Sequence, residues 1–171
     1  NADGETYFAL LTDFTDAASA QTDHDAELVG LAVAGIERLN GLYPSSPFIL
    51  LHRPRLWNAS EEKWMGWERK RGKLHELNQL ILGQAPKSMF AAAGVLPPGI
   101  QFVLTLDADT RLPRDAARRL VGKLAHPLVR PYFDAKAGRV TSGHAILQPR
   151  VTPSLPTGHV GSLYQRIHST T

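Results

Sequence analysis

Apolar and polar positions change period several times along the chain. TYFALLTD, residues 6–13, is an apolar run that stops on Asp13 and predicts a buried strand. After the polar DAASAQTDHD, residues Leu28, Leu31, Ala32, Ile36 and Leu39 recur on one helical face, with Thr22 and Asp25 spaced as in a capping box. PFILLHR, residues 47–53, predicts a second strand ending in His52 and Arg53. Pro54 then interrupts the chain and no period holds up to Lys73, so an irregular excursion is expected. Leu74, Leu77, Leu80 and Ile81 mark the next helix, with Gly83 placed to close it. APKSMFAAAGVLPPG, residues 85–99, predicts a second excursion, and IQFVLTLD, residues 100–107, a third strand. Pro113 suits the first turn of a helix whose apolar face is Ala116, Ala117, Leu120, Val121 and Leu124, running to about His126. GRVTSGHAILQPRV, residues 138–151, predicts one or two more strands, and the pattern from Thr152 is too weak to assign.

Strands alternating with helices predict an α/β fold with a mainly parallel sheet and helices on both faces. A length of 171 residues with 43% hydrophobic and 20% charged residues is ordinary for one soluble domain. No apolar run reaches the roughly 18 residues of a membrane span, and no leader pattern is present. The first residue is Asn1, which leads us to expect a piece of a longer protein. The absence of cysteine excludes disulfides and cysteine-based zinc sites. A net charge of +3 suits an anionic ligand and is too small to argue for nucleic acid by itself.

In parallel sheets ligands sit beyond the carboxyl ends of the strands. Asp13, His52 with Arg53, and Asp107 with Asp109 all stand at predicted strand ends. If extended geometry persists through Ala108, Asp107 and Asp109 project to the same side. Two carboxylates so placed suit Mg²⁺ or Mn²⁺ completed by phosphate oxygens and water. The plainer alternative is that Asp107 ends a strand and Asp109 caps the following helix. A phosphohydrolase of the D-x-D-x-T/V type is discounted, because Thr110 comes one place too early and Arg111 stands where the threonine belongs.

A second constellation is WMGWERKRGKLHELN, residues 64–78. Arg69, Lys70, Arg71 and Lys73 surround Gly72 at a predicted helix start, where backbone N–H groups favour an anion; a solvated basic turn is the alternative. Trp67 and Leu74 exclude a Walker-type loop. Asn78, one turn after Leu74, falls on the apolar face, where it calls for a core hydrogen bond or a ligand. The seven histidines show no zinc spacing. Trp57, Trp64 and Trp67 can stack on sugar rings or pack a loop onto the core, and with the basic cluster they offer a single-stranded nucleic-acid module as the non-enzyme alternative.

Taken together, FALLTDFTDA, WNASEEKWMGWERKRGKLHELN, LTLDADTRLPRDAARRLVGKLAHPL and ILQPRV resemble the glycosyltransferase domain of cyclic β-1,2-glucan synthases, over about Tyr7 to Leu155. The resemblance implies a partial GT-A (Rossmann-like nucleotide-diphospho-sugar transferase) domain at 1–151, related to family 2 glycosyltransferases, followed by a poorly defined tail at 152–171. It implies UDP-glucose as donor, Mn²⁺ or Mg²⁺ as cofactor, β-1,2-glucan made with inversion, and a parent protein in the bacterial inner membrane with this domain on the cytoplasmic side. Nucleic acid is not an expected partner; a glucan acceptor and the remainder of the parent protein are. Residue by residue, Asp13 matches a contact to the base or ribose. Gly72, Lys73 and Asn78 match a GK…LN segment, with Lys73 against the diphosphate. Asp109 matches the direct metal ligand, and Asp107 a ribose or water-mediated metal contact. Gln148 and Arg150 match a strand beside the site.

The family's Q-x-x-R-W acceptor motif is absent, since Gln165 is followed by Arg166 and Ile167. The general base is therefore expected beyond Thr171, and a first nucleotide-binding strand upstream of Tyr7. On this reading the chain holds no catalytic base, does not transfer glucose alone, and presents an open sheet edge through which it could dimerise.

Overall fold

A computed structural model describes residues 6–88, 90–150 and 162. The chain divides into two compact units, Asn1–Gln101 and Phe102–Thr171. The first unit is built on a three-stranded sheet in the order β1-β2-β5. Strand β1 (Phe8–Asp13) pairs in parallel with β2 (Phe48–Arg53), and helix α1 (Asp25–Leu42) forms the crossover between them. The hairpin β3 (Leu56–Asn58) and β4 (Lys63–Met65) follows, then α2 (Arg69–Ile81) and β5 (Ala91–Ala93), which runs antiparallel to β2.

The run FILLHR is continuous because both faces of β2 are covered. Ile49, Leu50, Leu51 and Arg53 are each 2% exposed or less. Alternation turns Ile49 and Leu51 to the face where Leu77 of α2 packs, with Leu11, Leu80, Ile81, Phe90 and Leu96 around them. Asn40 of α1 holds the start of β2 by accepting from the Phe48 N–H at 2.9 Å and donating to the Phe48 carbonyl at 2.8 Å. Gly94 closes β5 with φ +82°, where a Cβ would stand 2.6 Å from the Phe48 carbonyl oxygen.

In the second unit, helix α3 (Ala116–Leu124) leads through a 3₁₀ turn at Pro127–Val129 into the hairpin β6 (Tyr132–Asp134) and β7 (Arg139–Ser142). Gly143 follows at φ +73°, with room for no Cβ beside the Arg130 carbonyl.

The mixed α/β class and the parallel β1–β2 pair agree with the sequence reading; the sheet joins that one parallel pair to one antiparallel pair, β2–β5. The third strand expected at 100–107 does not form; those residues carry no regular structure. Its place in the sheet is taken by β5, from a stretch expected to be irregular. Small Ala91, Ala92 and Ala93 can pair through their backbones without a strong apolar signal. The excursion after Pro54 contains the hairpin β3–β4, too short to show a period. Helix α3 starts at Ala116, and Pro113 lies just ahead of it, its carbonyl accepting from the Ala116 N–H at 3.1 Å. Gln148 and Arg150 are exposed and outside any strand. The expected boundary at 151/152 borders residues outside those described. Among the described residues no helix is long and apolar enough to cross a membrane.

Candidate functional site

The carboxyl ends of β1 and β2 converge on a buried ionic network. Parallel register sets Asp13 opposite Arg53. Arg53 is fully buried and directs its whole guanidinium inward: Nε donates to Asp13 Oδ1 at 2.7 Å, and Nη1 to Glu76 Oε2 of α2 at 2.7 Å. Nη1 also donates to the Trp67 carbonyl at 3.1 Å, and Nη2 to the Arg69 carbonyl at 3.0 Å. Burial alone would lower the basicity of Arg53, but hydrogen bonds to Asp13 and Glu76 outweigh it and hold the group above the usual arginine value. The second Glu76 oxygen accepts from the Ser88 N–H at 2.7 Å, and Lys73 Nζ lies 3.0 Å from Asp13 Oδ2. Removing one partner of the fully buried Arg53–Glu76 pair costs roughly 3–5 kcal/mol, because the other charge is left uncompensated.

Beside this network lies an open cavity of about 410 Å³ lined by Asp13, Phe14, Thr15, Asp16, Gly66 and Arg69. It stands past the end of β1, where open α/β sheets take their ligands. Its floor is tight: a Cβ on Gly66 would meet Asp13 Cγ at 2.9 Å and Arg53 Nη2 at 3.0 Å. Its wall passes through two successive left-handed residues, Glu68 at φ 52° and Arg69 at φ 49°, an arrangement that costs of order 1–3 kcal/mol per residue and persists only where neighbours impose it. Gly72 is buried one turn into α2, and a Cβ there would lie 2.0 Å from the Trp67 carbonyl oxygen.

A second set of groups braces the back of the cavity. Arg55 makes a bidentate pair with Asp25 at the start of α1, and Thr22 donates to Asp25 through both its N–H at 2.9 Å and its hydroxyl at 2.6 Å. The Thr22–Asp25 pairing expected from spacing is present, with the carboxylate accepting from Thr22. The Arg55 hydrogen bonds, ahead of those from Thr22, hold the Asp25 carboxyl well below the usual carboxylate range. Arg55 also lies over the Phe14 ring at 4.6 Å, and His52 meets that ring edge-on at 4.1 Å. Burial pushes the His52 imidazole below its usual value, against the opposing pull of Asp13 and Asp25.

Asp13 and Lys73, predicted from sequence, are thus brought into direct contact. Asn78 is not on the apolar face: it is exposed, and the buried positions of α2 are Gly72, Glu76 and Leu77. A full helical turn from Leu74 lands near the edge of the stripe that Leu77 centres. Asp107 and Asp109 belong to the second unit. They do not prolong a strand; residues 107–110 form a turn in which the Asp107 carbonyl accepts from the Thr110 N–H at 3.0 Å, and both side chains are exposed. Asp109 does not cap α3 either, since Asp115 holds the N-cap position. Among the described residues no three metal-ligating side chains form a group.

Sequence reasoning noted Arg53 as a strand end but missed its role, and missed Glu76 altogether. The available signal was charge at positions that the strand and helix patterns bury, which demands a partner of opposite sign. The basic cluster is largely engaged with carboxylates. Arg69 meets Asp16 at 3.0 Å and Glu61 at 3.1 Å, and Arg71 meets Glu68 at 2.7 Å. The tryptophans do not form one platform: Trp57 and Trp64 pair across β3–β4 at 5.8 Å, while Trp67 contacts His75 and Lys87.

No protein-family model matches the chain. It is 49% identical over 170 residues, 98% of its length, to the cyclic beta-(1,2)-glucan synthase NdvB of Rhizobium meliloti (strain 1021), and spans 6% of that protein. Identity at this level along nearly every residue leaves common descent as the explanation: the chain is similar to one small segment of that synthase.

Proposed function

We propose that the chain is a donor-handling part of an inverting glycosyltransferase that takes glucose from UDP-glucose and builds cyclic β-(1,2)-glucan, on a fold of the GT-A type. The single observation that carries this reading is the homology to a glucan synthase along nearly the whole chain. The cavity past β1, with Asp13 and Lys73 at its side, is where such a fold would receive a nucleotide.

In this reading Asp13 contacts the base or ribose, and Lys73 exchanges Asp13 for the diphosphate as a mobile point charge. Asn78 adds a polar contact from the outer face of α2. Asp109 is the direct ligand of Mn²⁺ or Mg²⁺, and Asp107 contacts the ribose or a metal-bound water. Two exposed carboxylates on one turn fit a hard cation whose other positions are filled by phosphate oxygens and water, rather than a cage built from protein alone. When bound, the cation would offset the charge that develops on departing UDP. The glucan acceptor, the general base and the membrane setting are assigned to the parent protein. The β1 edge of the sheet, with Phe8 and Leu10 about half exposed, is where a second copy would dock.

Pairing of Arg69, Arg71 and Lys73 with carboxylates weakens the nucleic-acid alternative, because little positive charge remains to meet a phosphate backbone. Calorimetric titration of UDP and UDP-glucose, with and without Mn²⁺, tests the proposal. Binding that requires the metal and disappears in Asp109→Asn supports it. Flat traces throughout, or salt-dependent oligonucleotide binding untouched by Asp109→Asn, sink it.

A further inference from the structure

We infer that Arg53, locked by Glu76, is the positioning residue of the cavity: it fixes the orientation of the Asp13 carboxylate and the path of the Trp67–Arg69 turn as one wall. This rests on the cavity being the nucleotide pocket.

Four hydrogen bonds from one guanidinium tie together the end of β1 at Asp13, the Trp67 carbonyl just before α2, and α2 itself at the Arg69 carbonyl and the Glu76 side chain. Arg53 lies behind the cavity, whereas Asp13 and Arg69 line it, so Arg53 acts on a ligand only through what it holds. The planar fork leaves Asp13 little rotational freedom, because Oδ1 is tied to Nε while Oδ2 is left to Lys73. Its bonds to the Trp67 and Arg69 carbonyls flank Glu68 and Arg69, whose left-handed backbone needs an external restraint. Glu76 in turn is fixed from behind by the Ser88 N–H, so the fork cannot pivot. Lysine could match the charge of Arg53 but not the four directed bonds. Gly66 completes the fit, since its missing Cβ is the space that Asp13 and Arg53 share.

The test uses Arg53→Lys and the milder Glu76→Gln, each checked for intact far-UV circular dichroism at the assay temperature. Two readouts separate positioning from mere stability. In amide NMR spectra of the ligand-free chain, the resonances of Asp13 and of residues 67–69 should shift or broaden in both variants, while those of α1 residues away from the site stay in place. In Mn²⁺-containing buffer, UDP affinity should fall about tenfold, the scale of one charge-assisted hydrogen bond misplaced, while affinity for inorganic pyrophosphate, which has no base or ribose to orient, changes less than about twofold. Parallel loss of both ligands, or an unmoved 67–69 turn, overturns the inference. If the wild-type chain binds no UDP, the nucleotide reading fails; the positioning of the wall is then decided by the NMR readout alone, upheld by movement of Asp13 and the turn and overturned by its absence.

Discussion

Lys73 Nζ lies 3.0 Å from Asp13 Oδ2, so the two residues proposed to contact a nucleotide form an ion pair, with Arg53 holding the other Asp13 oxygen. Both side chains keep 16–18% of their surface in water, so the pair is neither fully buried nor freely solvated. Lys73→Ala should therefore lower stability by no more than about 1 kcal/mol, the scale of a partly screened ion pair. The same change should weaken Mn²⁺-dependent UDP binding by about tenfold or more, the loss expected for a charge-assisted contact to phosphate. Urea unfolding and calorimetry on one preparation check both numbers.

Asp109→Asn provides the contrasting case. Its side chain is exposed on a turn, so stability should stay within about 0.5 kcal/mol of wild type. Metal dependence of UDP binding should be abolished, which titration with and without Mn²⁺ reads directly. A large fall in melting temperature would instead show that Asp109 has a structural task.

Acid should destabilise the first unit in two steps. His52 faces Asp13, Asp25, Arg55 and Lys73, and its folded value lies below the ordinary 6.5 because it is buried. The unfolded chain then binds a proton more readily, so stability present above pH 6.5 is lost as pH falls below it. Asp25 titrates lower. Its folded value is depressed by Arg55, so its contribution is complete above its ordinary 3.8 and is lost as pH falls below that point. Urea midpoints between pH 8 and pH 2 should show both declines, with His52→Asn flattening the upper one and Asp25→Asn the lower. A midpoint that rises on acidification in either window contradicts the assignment.

Gly72→Ala should be the most damaging glycine substitution near the site. The added methyl carbon meets backbone, the Trp67 carbonyl oxygen, which cannot swing aside as a side chain can. We expect a cost of about 1–3 kcal/mol in denaturant unfolding, the usual range for overpacking. Gly83→Ala, at a helix end with open space around it, should cost less, through its positive φ alone.

The helices were the most readable elements. A 3.6-residue repeat marks α1, α2 and α3 in local sequence, although Leu28 and Leu31 of the expected α1 face are 57% and 65% exposed and α3 has no buried residue. Strand β2 was visible as an apolar run because a strand buried on both faces has no polar positions to alternate with; β1 has a similar run but is the edge of the sheet, with Phe8 and Leu10 about half exposed, so the buried strand expected at residues 6–13 is not buried. Asp13 and Lys73 could be picked from their places at element ends.

Partner choice was not readable. Residues 100–107 have the composition of a strand, yet three alanines occupy the edge of β2, since a ladder is made by backbone groups that every residue carries. Asp107 and Asp109 were expected on one side of a strand, and a backbone turn between them removed the two-residue period on which that expectation rested.

Local sequence by itself determined where the helices form and that β2 is an apolar strand ending in charge, because periodicity acts over a few residues. Tertiary structure alone decided that Arg53, 23 residues before Glu76 and 40 after Asp13, binds both at once. A buried guanidinium requires compensating acceptors, but which acceptors come within 3 Å depends on how β1, β2 and α2 pack, and that is settled only when the chain closes on itself.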